Sequence, residues 1–533
     1  MPLLELPILR SLLLSLVGSL EALAILGDMH KLVGKSSIRT TFQGSSIPTT
    51  IDTLPDDALI QIFDFCRVGR NPLGSPFHPI LEWHRLIHVC QRWRRIIFSS
   101  PRRLDLYILC TSGTPVRKNL GHWPAFPIII DYVNYHNDSS EAEILSSNDE
   151  NNIIAALENP DRVRCLKLSV TSLLLRAVAT VAKQPFPILT QLLLSSNKDE
   201  NVSVLPSTFL GGFAPLLQEI HFESIPFPTL PTLLSSATDL IVLHLHHIPH
   251  TGYFSPEAMV ASLGTLIRLE DLYIAFQSHT SRPNQSSNGR RVAPVMRAVL
   301  PALNSFEFRG ASEYLEDLVA QCDAPRLTTF SIWFFNQLTF QVPQLFSFAS
   351  RAQILEQAPR MDAEVFFNEN LVYINFYHGP VESWQIPLDL QISCQGLDWQ
   401  VSHLAAVLSQ CSAILFNVGH LSIDAYDLPQ ILGNETDHIE WLELFHHFTA
   451  VESLEVSIRL SEHVANVLKD VTVEMVPEFL PSLQFLCLEN LPLGCVEEFI
   501  TARRVSGRPI IFGSSLYHFL SQRGSRLWRY ENP

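Results

Sequence analysis

Apolar residues follow two different spacings along the chain. Between residues 54 and 98 they recur at three- and four-residue intervals, which is typical of amphipathic helices. One helical set is formed by Leu59, Ile62, Phe63 and Cys66. The other is formed by Leu86, Val89, Cys90, Trp93 and Ile97. The pattern predicts two short helices, and the prolines and glycines of Arg67–Pro79 predict a loop between them.

From about residue 160 the pattern changes to short apolar-x-apolar cores, separated by turns and weaker helical stretches. The predicted strand cores are Leu166/Leu168, Leu192/Leu194, Ile220/Phe222, Leu243/Leu245, Leu272/Ile274, Phe306/Phe308, Phe330/Ile332, Leu390/Ile392, Leu421/Ile423, Leu454/Val456 and Leu486/Leu488. Outside one gap they follow one another at steps of 23 to 34 residues, close to the period of leucine-rich repeats with insertions. Because one such unit cannot bury its own apolar face, we expect the units to stack into a solenoid.

The segment Arg351–Pro387 fits this pattern worst. A generic α/β layer stays open as an alternative, since irregular alternation of strands and helices also suits a parallel sheet. The predicted fold class is therefore α/β, with a short N-terminal helical module followed by an irregular leucine-rich-repeat solenoid.

The N-terminus is strongly apolar. Ser11–Leu20 carries no charge and Ala22–Ala24 is similar to a signal-peptidase site, but Glu5 lies where an export signal needs basic residues. Leu9, Leu13, Leu16, Leu20 and Leu23 form one helical stripe instead. We predict an amphipathic helix over residues 1–33 and a linker over 34–48, with secretion or anchoring as the alternative.

Composition indicates a folded, acidic protein. Apolar residues make up 47% of the 533 positions and charged residues 17%, and the net charge is −16. A net negative charge disfavours non-specific binding to nucleic acid and leaves basic partners possible. The nine cysteines are scattered and never spaced CxxC, which favours buried free thiols in a reducing compartment over disulfides.

Two segments occur in an order that points to a known family. Leu54–Phe63, with the sequence LPDDALIQIF, resembles the opening of the F-box, and Val89–Ile97, with the sequence VCQRWRRII, resembles its close. Trp83-His84, Ser100–Leu104, Cys110–Leu120, Ser482–Asn490 and Glu498–Arg504 are similar to F-box proteins of mushroom-forming fungi. The match departs from the compact family pattern in one respect, because thirty positions separate Phe63 from Trp93.

The resemblance implies that this module docks a Skp-type adaptor and, through it, a cullin–RING ubiquitin ligase. The adaptor-binding residues it implies are Leu54, Pro55, Leu59, Ile62, Phe63, Val89, Cys90, Trp93 and Ile97. The domain prediction is 49–103 for the F-box-like domain, 104–159 for a connecting segment, 160–500 for the repeat region and 501–533 for a C-terminal tail.

Two features of the module have a second interpretation. Trp93, Val89 and Ile97 can pack inside the module instead of contacting a partner. The basic residues Arg85, Arg92, Arg94, Arg95, Arg102 and Arg103 can form a solvated helix face, or can complement an acidic adaptor surface.

Candidate chemistry is sparse. Gly34-Lys35-Ser36 lacks the earlier glycine of a phosphate-binding loop, and no GxSxG elbow or paired zinc ligands occur. His244, His246, His247 and His250 invite a metal interpretation, but Leu243 and Leu245 would point into the core and leave His244 and His246 on the outer strand face. We predict no enzyme activity, no cofactor and no metal.

The function predicted from these features is a non-catalytic substrate receptor in the cytoplasm or nucleus. It would bind the adaptor and a protein target, and neither nucleic acid nor membrane. A scaffold outside ubiquitination and a secreted or anchored leucine-rich binding protein stay open as alternatives. The identity of the target is not encoded in any motif.

Overall fold

The computed structural model describes residues 54–67, 86–100, 104, 106–133, 145–196, 202–278, 297–352, 360–377, 387–426 and 438–513. The predicted N-terminal helix, the linker, the whole loop after Arg67 and the end of the predicted tail lie outside these residues. Trp83, His84, Arg85, Arg102 and Arg103 lie outside them as well. The chain divides into two compact units, and the first comprises residues 1–109, 118–128 and 135–140.

The described residues of the first unit include the helices α1 (Asp56–Arg67) and α2 (Gln91–Ser99). Asp56 and Asp57 lie in the first turn of α1, where carboxylates interact favourably with the helix dipole. The second helix begins later than its apolar pattern predicts, so the prediction is wrong for Leu86, Val89 and Cys90, which precede it. Cys90 has an extended backbone, and its Sγ accepts a hydrogen bond from the Trp93 N–H as an N-cap.

The second unit is a stack of strands and helices. Its strands and those at its boundary are β1 (Ile108–Cys110), β2 (Ile128–Tyr132), β3 (Val163–Val170), β4 (Gln191–Ser196), β5 (Glu219–Glu223), β6 (Val242–Ile248), β7 (Asp271–Phe276), β8 (Ala298–Val299), β9 (Ser305–Gly310), β10 (Cys322–Asp323), β11 (Thr329–Phe334), β12 (Met361–Phe367), β13 (Leu371–Tyr377), β14 (Leu388–Ser393), β15 (Val418–Ala425), β16 (Ser453–Val456), β17 (Phe485–Leu488) and β18 (Ile511–Gly513).

The helices are α3 (Val116–Asn119), α4 (Ser147–Leu157), α5 (Ser172–Val181), α6 (Leu230–Leu234), α7 (Pro256–Leu263), α8 (Ser312–Val319), α9 (Pro343–Arg351), α10 (Leu397–Leu408), α11 (Ser412–Leu415), α12 (His438–His446), α13 (Ile458–Lys469) and α14 (Glu497–Val505). Consecutive long helices pack side by side, as α7 does with α8, α8 with α9, and α12 with α13.

One large sheet organises this unit. From β3 onward its strand order is β3-β4-β5-β6-β7-β9-β11-β14-β13-β12-β15-β16-β17-β18. From β3 to β14 neighbouring strands are parallel, and the predicted cores stand in one register, with Leu192 beside Ile220 and Leu243 beside Leu272. Every predicted strand core lies in a strand, and its side chains are buried. The fold is therefore α/β with a large, mainly parallel sheet, as a leucine-rich-repeat solenoid requires.

The segment that fits the repeat pattern worst forms a hairpin inside this sheet. β12 and β13 pair antiparallel, β13 also pairs antiparallel with β14, and β12 pairs parallel with β15. The chain therefore passes over two strand positions after β11 and returns to fill them. The turn between β12 and β13 is closed by Asn368, whose Oδ1 accepts hydrogen bonds from the N–H groups of Asn370 and Leu371, each at 2.9 Å.

Buried charged groups join helices of the stack to neighbouring backbone segments. Glu316 of α8 is 4% exposed and accepts hydrogen bonds from the N–H groups of Gln344 and Leu345, which open α9. Arg503 of α14 is 1% exposed and donates to the carbonyl oxygens of Leu480 and Leu483. These bonds satisfy backbone groups that would otherwise be buried without partners.

The sheet extends beyond both ends of the predicted repeat region, 160–500. β2 lies beside β3 before residue 160, and β18 extends the sheet by pairing with β17 after residue 500. The eight cysteines other than Cys66 are free thiols, of which Cys90 and Cys495 are half-buried and the other six are buried. Within those same ranges, no helix is both long enough and apolar enough to cross a membrane.

Candidate functional site

The predicted adaptor-binding residues fall into two groups in the first unit. Leu59, Phe63, Trp93 and Ile97 are buried, and the rings of Phe63 and Trp93 meet at a centroid distance of 4.8 Å. This aromatic contact packs α1 against α2. These four side chains therefore support the module, and any adaptor contact by them stays a prediction.

The other five residues are accessible. Leu54, Ile62 and Cys90 are half-buried, and Pro55 and Val89 are exposed. Leu54 and Pro55 precede α1, while Val89 and Cys90 precede α2, so four of the five lie at helix N-termini. We refer to Leu54, Pro55, Ile62, Val89 and Cys90 as the module surface.

Arg92 fixes the two helix starts relative to each other. Its Nη2 donates to the Leu54 carbonyl oxygen at 2.6 Å and to Asp56 Oδ1 at 2.7 Å. Arg94 donates from Nε to the Ile87 carbonyl oxygen at 3.0 Å. Two of the predicted basic residues thus have structural contacts within the module, whereas Arg95 is exposed.

In the second unit, one face of the sheet is polar. Between the buried core positions of β3–β16 lie side chains that are mostly half-buried. We call this the open sheet face. Leu243 and Leu245 are buried, and His244 and His246 alternate with them on the open sheet face, which confirms the strand orientation predicted from the sequence.

Histidines cluster at the open sheet face on β5 and β6. The rings of His221 and His244 lie 4.6 Å apart edge to face, and His246 stacks on Tyr273 at 4.1 Å. His244 Nε2 lies 2.9 Å from Asp271 Oδ2. His221 contributes to this cluster from the neighbouring strand, which the local sequence motif did not reveal.

The other two predicted histidines, His247 and His250, lie at and after the irregular end of β6. His247 has a φ of 50° at an irregularity in the pairing of β6 with β7, and His250 begins a single 3₁₀ turn. Among the residues that the structure describes, no three His, Cys, Asp or Glu side chains are grouped to hold a metal ion.

Burial shifts the protonation of this cluster. Burial, together with the neighbouring His244, His247 and His221, lowers the pKa of His246 to about 4 from its ordinary value of 6.5. Burial and His244 also lower the pKa of His221. The hydrogen bond with His244 lowers the pKa of Asp271. At neutral pH, His246 and His221 are therefore uncharged.

Acidification is expected to destabilise the second unit through His246. Between pH 6.5 and about pH 4 the unfolded chain binds a proton that folded His246 does not, so stability is lost as the pH falls through this window. Because His246 is partly exposed, we expect its share to be about 1–2 kcal/mol. Urea unfolding across this range should show a smaller acid loss for His246→Gln than for wild type. An exposed control, His250→Gln, should retain the wild-type loss, and equal losses in all three proteins would refute the assignment.

A second part of the open sheet face lies on β9–β16 and combines carboxylates with aromatic rings. Glu307, Asp389 and Glu364 lie there, as do Trp333 and Tyr373. None of them was predicted as a site residue. The alternation of buried and accessible residues in Met361–Phe367 could have predicted β12 from the sequence. Which strands lie beside β12 could not be predicted, because that depends on how the hairpin is inserted.

Comparison with solved structures gives a likeness of fold at low sequence identity. No family model matches the sequence, and no curated protein matches it. The fold is similar to the crystal structure of the leucine-rich repeat-containing protein LegL7 from Legionella pneumophila, at 12% sequence identity and a TM-score of 0.24. The likeness covers 76% of this chain and 99% of that one. The strand order and registers described above define the fold of this chain independently of it.

Proposed function

We propose that this chain is the substrate receptor of a Skp-adaptor/cullin/RING ubiquitin ligase. In this function the module surface binds the adaptor, and the open sheet face binds a protein target. Ubiquitin transfer is performed by the partners, and the receptor raises the effective concentration of the target near them.

One observation carries this proposal. The two segments that resemble the F-box are brought together as α1 and α2 around the Phe63–Trp93 contact, with Arg92 joining their N-termini. Apolar side chains stay accessible beside this joint, among them Val89, which is 44% exposed. An accessible apolar surface on a pair of helices too short to enclose a large core favours docking to another protein.

The module surface is tested by a charge placed on Val89. Val89→Asp leaves the buried contacts of α1 and α2 intact but puts a carboxylate where an apolar interface is expected. Capture of a purified Skp-type adaptor by the full-length chain should weaken by about tenfold or more.

The matched control is Leu173→Asp, because Leu173 is also an apolar side chain, is 76% exposed and lies in the second unit. It should capture the adaptor as wild type does. Equal capture by both variants would exclude the module surface as the docking site.

A further inference from the structure

The net negative charge of the chain is concentrated in one segment. Residues 361–458 contain fourteen Asp and Glu residues and not one Lys or Arg, so they account for −14 of the net charge of −16. The segment includes the inserted hairpin and the strands on either side of it, β14 and β15. The acidic charge of this segment indicates which class of target the protein binds, an inference that rests on the proposed role of the open sheet face.

The carboxylates on the open sheet face follow a regular spacing. One register row crosses seven adjacent strands, from β9 to β16, and consists of Glu307, Ser331, Asp389, Asn375, Glu364, Ser422 and Glu455. Carboxylates occupy every second strand, with short neutral side chains between them. Since strands lie about 4.8 Å apart, successive carboxylates are separated by about 9.6 Å at the backbone. We call the four acidic residues of this row the carboxylate row.

Two carboxylate oxygens of the row are buried without a hydrogen-bond partner, Asp389 Oδ1 and Glu455 Oε1. Glu455 is only 5% exposed. It lies on the same face as the rest of the row, because it stands between the buried core residues Leu454 and Val456 of β16 and is in register with Ser422. A buried, unpartnered carboxylate is costly and is stabilised by a cation.

The hydrogen-bond partners of Asp389 within the chain are neutral. Asp389 Oδ2 accepts hydrogen bonds from Ser331 Oγ at 2.9 Å and Gln391 Nε2 at 2.8 Å. Burial raises the pKa of Asp389, Glu364 and Glu455. Neighbouring carboxylates raise the pKa of Glu364 and Glu455 further. A bound guanidinium or ammonium group would reverse these shifts.

Aromatic rings lie beside the carboxylates in the next register row. Across adjacent strands, the order in this row is Trp333, Gln391, Tyr373 and Phe366. The rings of Phe366 and Tyr373 are stacked at 5.0 Å. The Arg309 guanidinium lies 4.0 Å from the centre of the Trp333 ring, which is a cation–π contact made within this face. The same chemistry is available to an arginine of a ligand at the other rings.

We propose that the carboxylate row binds an extended cationic segment of a partner protein, with Arg or Lys at every third position. A polyproline II helix has three residues per turn and rises about 3.1 Å per residue, so every third side chain returns to the same side after about 9.3 Å. This repeat matches the spacing of the row. The acidic field of residues 361–458 attracts such a segment and repels acidic peptides and nucleic acid.

The test uses fluorescein-labelled peptides and the full-length chain without adaptor. The first peptide repeats Arg-Pro-Ser, and the second has the same composition with its arginines contiguous. The spaced peptide should bind more tightly, and its affinity should fall steeply with added salt. Equal affinity for both peptides would contradict the claim that the arginine spacing matches the carboxylate row. No binding of the spaced peptide at low salt would contradict the claim that the row binds a cationic segment.

Variants locate the binding to the row. Glu364→Gln with Asp389→Asn should weaken binding of the spaced peptide by about tenfold or more, because two charge-assisted contacts are lost. The control, Glu474→Gln with Glu478→Gln, removes the same charge from two exposed positions outside the row and should change affinity less than about twofold. Equal weakening by both pairs would overturn the proposal.

Two further readouts separate this proposal from other causes. Glu455→Gln should raise the melting temperature, because it removes a buried unpaired charge, and should still weaken peptide binding. A lower melting temperature with unchanged peptide affinity would show that Glu455 has only a structural role and would overturn the proposal for this residue. Capture of the Skp-type adaptor should be unaffected by the row variants, so failure of peptide binding and failure of adaptor binding are distinguishable.

Discussion

Trp93→Ala is expected to destabilise the first unit by about 3–5 kcal/mol and to abolish adaptor binding. Trp93 is 6% exposed and packs on Phe63, so the substitution leaves a cavity at the contact that joins α1 and α2. A module of this size has little other core to absorb the loss. Adding Leu59→Ala, at a position that is fully buried, should complete the unfolding of the module.

Hydrogen exchange measures this effect region by region. Protection should be lost in Asp56–Arg67 and Gln91–Ser99 and retained in the strand cores of the second unit. Trp93→Phe is the matched control, because it keeps an aromatic ring against Phe63, and it should be much milder. Wild-type protection of both helices in Trp93→Ala would contradict the assigned role of this contact.

Trp441→Ala is expected to have an effect of similar size on the second unit, about 3–5 kcal/mol. Trp441 lies in α12, is 1% exposed and contacts the rings of Phe367, Phe445 and His463. Phe367 ends β12, so Trp441 packs against the inserted hairpin. Because a solenoid is stabilised mainly by neighbouring units, we expect the strands from β12 onward to lose exchange protection before β3–β7 do.

The control for this prediction is Trp441→Phe. Trp441 Nε1 has no hydrogen-bond partner, so phenylalanine keeps the ring contacts and loses no hydrogen bond. It should cost less than about 1.5 kcal/mol. Uniform loss of protection over the whole sheet, or none at all, would speak against local stabilisation of the hairpin.

The strands were predictable because their signal is local. Each core is an apolar-x-apolar triplet such as Leu192-Leu193-Leu194 or Leu454-Glu455-Val456, and burial on one side of the strand follows from the period of two. The turn before α2 was not predicted from the spacing of apolar residues. Val89 and Cys90 fit the helical spacing of their neighbours, but the extended backbone of Cys90 places both before the helix.

The carboxylate row could not be predicted from spacing along the chain. Asp389 and Glu364 share a row only because β13 is inserted between β14 and β12, and strand order is a non-local property of the fold. His221 joins His244 for the same kind of reason, since they lie on adjacent parallel strands. The apolar triplets placed His221 and His244 on the correct face of their strands, but no strand core was predicted around Glu364, and the neighbours across strands required the structure.

The receptor function is tested most directly by titrating the wild-type, full-length chain into a purified Skp-type adaptor and measuring the heat of binding. We expect saturable one-to-one binding with a dissociation constant of about 1 μM or tighter, corresponding to about 8 kcal/mol. No saturable binding of the wild-type chain would contradict the central claim that the helix pair around Phe63 and Trp93 docks the adaptor.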